Sequence, residues 1–137
     1  MNLSVKQIHV GFVAQYWPSV EKFIQAAIEF CHGDYTLDQV KVYLSKGEWI
    51  LLVAVDDDNQ IHGAMTALFN NYPNDRVAFV TFTGGKFVTN QNTFDQMSKI
   101  FKGYGATKIQ VGSRESVARY LRRYGFKERY IIAEVKI

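Results

Sequence analysis

Cysteine is nearly absent from this sequence. Cys31 stands alone among 137 residues, so no disulfide forms within the chain and packing has to hold the fold; a lone thiol fits a reducing, cytoplasmic setting. Proline is scarce, at Pro18 and Pro73, and no repeat, low-complexity tract or linker interrupts the chain. No apolar run approaches the ~18 residues a membrane span needs. The segment Met1–Val10 lacks the long apolar core and small-residue cleavage site of a signal peptide. Charge of one sign is also weak. Sixteen Lys and Arg against thirteen Asp and Glu leave a formal +3, far from the polybasic tail that marks a membrane or nucleic-acid partner.

Apolar material is plentiful. A hydrophobic fraction of 47% with 15% aromatics suffices for one packed core, and the length suits a single domain over residues 1–137. Strand and helix signals alternate from end to end. Ser4–Val10 reads as a strand. A helix follows with Pro18 in its first turn, where a missing N–H costs nothing, and Val20, Phe23, Ile24, Ala27, Ile28 and Cys31 line one face. Thr36 and Gln39 form a capping box for a second helix, closed near Gly47. Trp49–Val55, Ile61–Phe69 and Arg76–Phe82 read as an antiparallel meander, with turns at Asp56–Asn59 and Asn70–Asp75. Gly84, Gly85 and Lys86 break the third of these strands. Thr93 and Gln96 suggest another capping box, and Phe94, Met97, Phe101 and Tyr104 continue a helical stripe. Thr107–Val111 is reached through that helix, which makes it parallel to the strand before it. Ser113 caps a last helix carrying Val117, Leu121 and Tyr124 inward, Gly125 closes it, and Tyr130–Ile137 is a final strand. That apolar last strand can pair with the edge of a partner. The fold class is α/β: a mixed sheet in the order β-α-α-β-β-β-α-β-α-β, with helices on both faces.

This order, together with Ser116–Glu128 and its Tyr124-Gly125-Phe126 close, resembles the GNAT superfamily of acyl-CoA N-acyltransferases over nearly the whole chain. Trp17, the Asp34-Tyr35-Thr36-Leu37-Asp38 helix start and Gly84-Gly85-Lys86 further resemble small GNAT-like proteins of phages and prophages. The resemblance implies an N-acetyltransferase moving an acetyl group from acetyl-CoA to an unidentified amine, on a small molecule or a protein. Such a reaction needs backbone N–H groups at a helix start for the pyrophosphate, a polarised thioester carbonyl, and a base and an acid. The pyrophosphate loop corresponds to Thr83–Asn92, with Thr83, Gly84, Gly85, Lys86, Thr89, Asn90 and Asn92 as cofactor-binding candidates. Its glycines come earlier than the family pattern has them, and a plain strand-ending Gly-Gly turn before a capped helix explains them equally. The family's acid, a tyrosine four residues before the glycine, is Leu121 here; Tyr120 is the substitute candidate. The fourth strand carries no carboxylate, leaving His62 or a water relay as base. These departures favour a second reading. In it the chain is a catalytically inactive GNAT-fold protein, in a host cytoplasm or a virion, that binds a phage or host protein.

Other constellations carry less. Cys31 and His32 are adjacent on a helix, diverge in direction, and lack both an orienting third group and zinc spacing, so Cys31 reads as core and no metal is expected. Asp56-Asp57-Asp58-Asn59 lacks the distal Glu of a calcium loop and reads as a hairpin turn. Arg119, Arg122 and Arg123 share one helix face with Arg114, Lys127 and Arg129 nearby; a solvated face, a phosphate contact and a nucleic-acid contact are the three readings. The absence of any recognised nucleic-acid module argues against the last.

Overall fold

The computed structural model describes residues 2–137. Five strands form one sheet in the order β1-β2-β3-β4-β5: β1 (Ser4–Ile8), β2 (Ile50–Val55), β3 (Ile61–Asn71), β4 (Arg76–Gly85) and β5 (Lys108–Val111). Neighbours are antiparallel up to β4, and β5 is parallel to β4. Four helices accompany them: α1 (Val13–Ile28), α2 (Leu37–Ser45), α3 (Gln91–Gly103) and α4 (Glu115–Leu121). The meander and the βαβ crossover are where the sequence pattern puts them. No helix among the described residues is long and apolar enough to cross a membrane.

The strands alternate their side chains between two layers. On one face Val13, Trp17, Val20 and Ile24 of α1 and Val40 and Leu44 of α2 pack on Leu51, Val53, Val55, Ala64 and Phe82. On the other, Met97 and Phe101 of α3, with Phe87, pack on Leu52, Ala54, Met65, Ala67, Ala78 and Val80. Each fully buried aliphatic side chain contributes about 1.5–3 kcal/mol. The sheet, covered on both sides, is therefore the structural centre.

Several local expectations are met and several are replaced. Thr36 caps α2 as expected: its hydroxyl accepts from the Gln39 N–H at 3.3 Å and the Gln39 side chain accepts from the Thr36 N–H at 2.9 Å. Pro18 does not open α1; it is the sixth residue of the helix. The carbonyl of Ala14 therefore lacks its usual donor, which water can replace because both residues are exposed. Asn90, not Thr93, caps α3, with Thr93 as the reciprocal partner three residues on. Asn is as strong a cap as Thr, so the two placements compete on equal terms in the sequence. The freed Gln96 accepts from the N–H of Val5 at 2.8 Å on the edge strand β1. The cap of α4 is Arg114 rather than Ser113, without a side-chain bond. Gly125, at φ 92°, ends the 3-10 turn that follows α4, as the glycine there implies.

The largest departure is at the C-terminal end. The strand expected over Tyr130–Ile137 pairs with no strand among the described residues; residues 127–137 are all exposed and outside the sheet. Alternating β-branched residues give a segment strand propensity, but that propensity is realised only against a neighbouring strand. Likewise Val117, Leu121 and Tyr124 are only half-buried. Helix α4 lies on the body rather than inside it.

Candidate functional site

The site forms where β4 outruns β5. Val77–Val80 pair with Lys108–Val111, but β4 continues to Gly85 while β5 stops. Thr81–Gly85 consequently has no strand on its β5 side among the described residues. A bulge marks the start of this free stretch. Thr66 pairs with Phe82 and Ala67 with Val80, leaving Thr81 as the extra residue. Such bulges bend a strand away from its neighbour. Two hydroxyls secure this one: Thr81 Oγ1 lies 2.6 Å from Oγ1 of the fully buried Thr66 and donates to the Thr66 carbonyl at 3.0 Å. The step left beside the end of β5, a notch in the sheet, is bounded by the unpaired edge of Thr81–Gly85.

Both glycines at its rim are explained by packing. A Cβ on Gly84 would stand 1.9 Å from the Phe23 carbonyl oxygen of α1. Only a residue without a side chain lets helix and strand backbones approach this closely. Gly85 has φ +72°, and a Cβ there would meet the His62 carbonyl at 2.4 Å and the Phe23 ring. The strand thus ends at Gly85, and the N–H of the next residue, Lys86, donates to the His62 carbonyl at 2.9 Å. Thr83, opposite Met65, is exposed beside the notch.

Beyond Lys86 the chain turns into α3. The N–H groups of Thr89 and Asn90 both donate to Thr93 Oγ1, at 3.0 and 3.2 Å, and the Asn90 side chain accepts from the Thr93 N–H at 2.9 Å. Thr93 is fully buried. This network fixes the loop. It also consumes donors that a glycine-rich loop would leave free. The first-turn N–H groups of Gln91 and Asn92 have no partner within the chain among the hydrogen bonds described; they lie at the positive end of the helix, at exposed residues, with exposed Lys86 close in sequence.

Tyr120 reaches this loop from α4. Its hydroxyl donates to the Val88 carbonyl at 2.7 Å and lies 3.1 Å from the Tyr124 hydroxyl. Burial pushes the Tyr120 phenol above its ordinary value, and the neighbouring Tyr124 adds to the effect. The proton is thus held in a hydrogen bond to the loop backbone. Tyr124 stacks on Phe94 at 5.1 Å, and Phe126 meets the same ring edge-on at 5.9 Å. Leu121 is half-buried. His62 is placed differently. Its ring Nε2 is 2.7 Å from Asp56 Oδ2 at the β2–β3 hairpin, across β3 from the notch. The Asp56 carboxyl is held below its usual range by His62 first, then by the N–H groups of Gln60 and Asp58. The structure therefore joins Tyr120 to the loop through its side chain and His62 only through its backbone.

Some contacts had no clear sequence signal. The Arg114 guanidinium covers the Phe30 ring at 4.0 Å, tying the connection after α1 to the connection after β5. Tyr35 meets Trp49 at 5.0 Å and Phe82 at 5.9 Å, and burial raises its phenol above the ordinary value, with Tyr43 next in effect. The basic cluster is partly occupied: Arg122 pairs with Glu128, and Arg123 lies over the Tyr120 ring. Half-buried Cys31 bonds the Tyr35 carbonyl and packs on the α1–α2 core. The Asp56 side chain closes its hairpin by accepting from Asp58 and Gln60.

A five-stranded mixed sheet with this order, in which β4 outruns β5 after Val80, flanked by two helices on one face and one on the other, has counterparts of known structure. An aminoglycoside acetyltransferase from an uncultured soil metagenomic sample superposes with a TM-score of 0.70 over 100% of this chain and 99% of its own, at 14% identity. The fold is that of the GNAT acetyltransferases. A second soil aminoglycoside acetyltransferase, solved with sisomicin, gives a TM-score of 0.68 at 10% identity, over 98% of this chain and 96% of that one. A predicted acetyltransferase from Clostridium acetobutylicum, solved with acetyl-CoA, gives 0.64 at 14% identity over 98% and 96%. No protein-family model matches the sequence, and no curated protein matches it. In this fold the unpaired edge of β4, the first-turn N–H groups of Gln91 and Asn92 and the exposed Lys86 offer backbone hydrogen-bonding groups and one positive charge.

Proposed function

We propose that this chain is an N-acetyltransferase, using acetyl-CoA and an amine acceptor. The observation that carries the reading is the notch: β4 left unpaired from Thr81 to Gly85 beside a helix start with free donors. Bound acetyl-CoA would supply the acyl group as a thioester. The edge of β4 would hold the pantetheine amides by strand-like hydrogen bonds, and a backbone N–H there would polarise the thioester carbonyl. Lys86 and the N–H groups of Gln91 and Asn92 would take the pyrophosphate. Tyr120 acts as a positioning residue, since its hydroxyl is spent on the Val88 carbonyl. With Leu121 at the family's acid position, thiolate protonation falls to solvent. Rate enhancement then rests on proximity and carbonyl polarisation. The neighbours solved with sisomicin and acetyl-CoA support an amine acceptor and this cofactor.

The second reading, a non-catalytic binding protein, is favoured by Leu121 and by the loop donors that Thr93 consumes. Calorimetric titration of acetyl-CoA separates the two. Catalysis predicts micromolar binding, weakened about tenfold in Lys86→Ala, the loss of one charge-assisted contact worth about 1.5 kcal/mol. Absence of binding at millimolar acetyl-CoA would overturn the enzymatic reading and leave the protein-binding one.

A further inference from the structure

The α1–α2 layer covers only part of its face of the sheet. From β4 its buried core takes in Phe82, and from β5 nothing. Ala78 and Val80 point to the α3 core, so Val77 and Phe79 point the other way, to the α1–α2 side. Their partners on β5, Lys108 and Gln110, share that side. The Phe79 ring reaches the end of β5, since a Cβ on Gly112 would stand 3.8 Å from it. Phe79 and Gln110 are half-buried. A strip of sheet outside the helical layer therefore runs from the notch back along β4 and β5.

This strip ends in a recess at the start of the two strands. Tyr72, Asp75, Val77, Gln110, Arg129 and Tyr130 line about 250 Å³ there. Val77 is buried although it belongs to neither core. The charges of the recess do not cancel. Asp75 is engaged by Lys108 at 2.9 Å and by the Thr107 hydroxyl at 3.0 Å. Those two contacts, Lys108 first, hold its carboxyl below the ordinary value, and Arg129 adds a lesser share from farther off. Arg129 lies over the Tyr130 ring at 5.9 Å and makes no ion pair among the described residues. Two cations thus face one carboxylate, and the surplus charge is a guanidinium whose donor fork is unspent. Such a fork matches a carboxylate with two parallel hydrogen bonds.

The recess and the notch are a fixed distance apart. Val77 and Thr81, where the free edge of β4 begins, are separated by about 13 Å of extended strand. An extended peptide of about four residues spans the same length. Resting on the N-acetyltransferase reading, we infer that the recess is the far end of the acceptor site. The acceptor is an amine with a free carboxylate about 13 Å away, the span of a short extended peptide. Its amine lies at the notch and its carboxylate on Arg129.

The test compares tetraglycine with its C-terminal amide, which share an amine and a length and differ in the carboxylate. Two readouts are taken on the full chain and on Arg129→Gln: KM from thiol release with acetyl-CoA, and Kd by calorimetry without it. In the parent protein both constants should be about tenfold lower for tetraglycine than for the amide, the effect of one charge-assisted pair. In Arg129→Gln the two peptides should become equal. Diglycine and its amide, too short to reach, should show no difference in the parent. Equal constants for the two tetrapeptides in the parent overturn the inference, and so does a preference that survives Arg129→Gln. A preference already present with diglycine overturns it as well, since the carboxylate would then be read close to the amine. Failure of acetyl-CoA to bind or react sinks the N-acetyltransferase reading instead; the Kd comparison still decides whether the recess holds a carboxylate. Should Arg129→Gln lose the parent melting temperature, the tetraglycine and diglycine pairs on the parent decide alone.

Discussion

Residues up to Val111 and residues after it belong to different physical regimes. Every residue named in the two buried cores lies at or before Phe101. The sheet with α1, α2 and α3 is densely packed on both sides. Past Val111 no side chain is fully buried; α4 is attached through Tyr120, Tyr124 and Phe126 on the loop and α3, and through Arg114 on Phe30. The comparison teaches where stability and adaptability reside. The body sets the notch, and the C-terminal part holds the loop beside it with a handful of aromatic and hydroxyl contacts. Segments with few buried apolar contacts open at low free-energy cost.

The body should be breakable at one atom. Gly84→Ala places a methyl 1.9 Å from the Phe23 carbonyl, where backbone on both sides must move. The expected loss is about 3 kcal/mol or more, seen as a clear drop in the midpoint of urea unfolding. A change under about 0.5 kcal/mol would mean that α1 is not pinned to β4. The C-terminal part should respond more gently. Tyr120→Phe removes one hydroxyl bond and should cost about 1 kcal/mol. Its distinctive readout is kinetic: a raised KM for acetyl-CoA with kcat nearly unchanged, because the hydroxyl steadies the loop. A fall in kcat at constant KM would instead make Tyr120 a participant in proton transfer.

The smallest effects are those of pH. Asp56 and Asp75 titrate below their ordinary value in the folded state, Asp56 through His62 and Asp75 through Lys108. Their stabilisation is present above the unfolded carboxylate value of about 4 and is lost as pH falls through the folded ones. Tyr35 and Tyr120 titrate above theirs, so their contribution is complete below about pH 10 and is lost as pH rises through the raised values. Thermal melts should form a plateau between these limits. A melting temperature already falling between pH 5 and 9 would require other groups.

The fold was legible because its signals are local and agree with one another. The Thr36–Gln39 box, the meander turns and the continuous apolar run of β2 each point to one element, and their order constrains the topology. The site was legible in outline, since Gly84-Gly85-Lys86 does mark the rim of the notch. What those glycines do was hidden. Their role depends on Phe23, some sixty positions earlier in the chain and brought near only by the packing of α1. The sequence leaves the cap of α3 open, because Asn90 and Thr93 both satisfy capping chemistry. Only the reach of Gln96 to Val5, a long-range contact, separates the alternatives. The last segment departs from its pattern for a related reason: alternating apolar residues specify a strand but do not supply the neighbour it needs.

The extra residue Thr81 divides β4 into two stretches. Below it Ala78 and Val80 face the α3 core; above it Phe82 joins the α1–α2 core and Gly84 meets α1. The bulge absorbs the extra position, so both halves of the strand stay paired with β3. Deleting residue 81 would leave Phe82 opposite Thr66 and Gly84 opposite Ala64 on the faces they already occupy, and would remove only the bulge and the hydroxyl pair that secures it. The extra position therefore governs the bend of β4 and not the facing of its side chains.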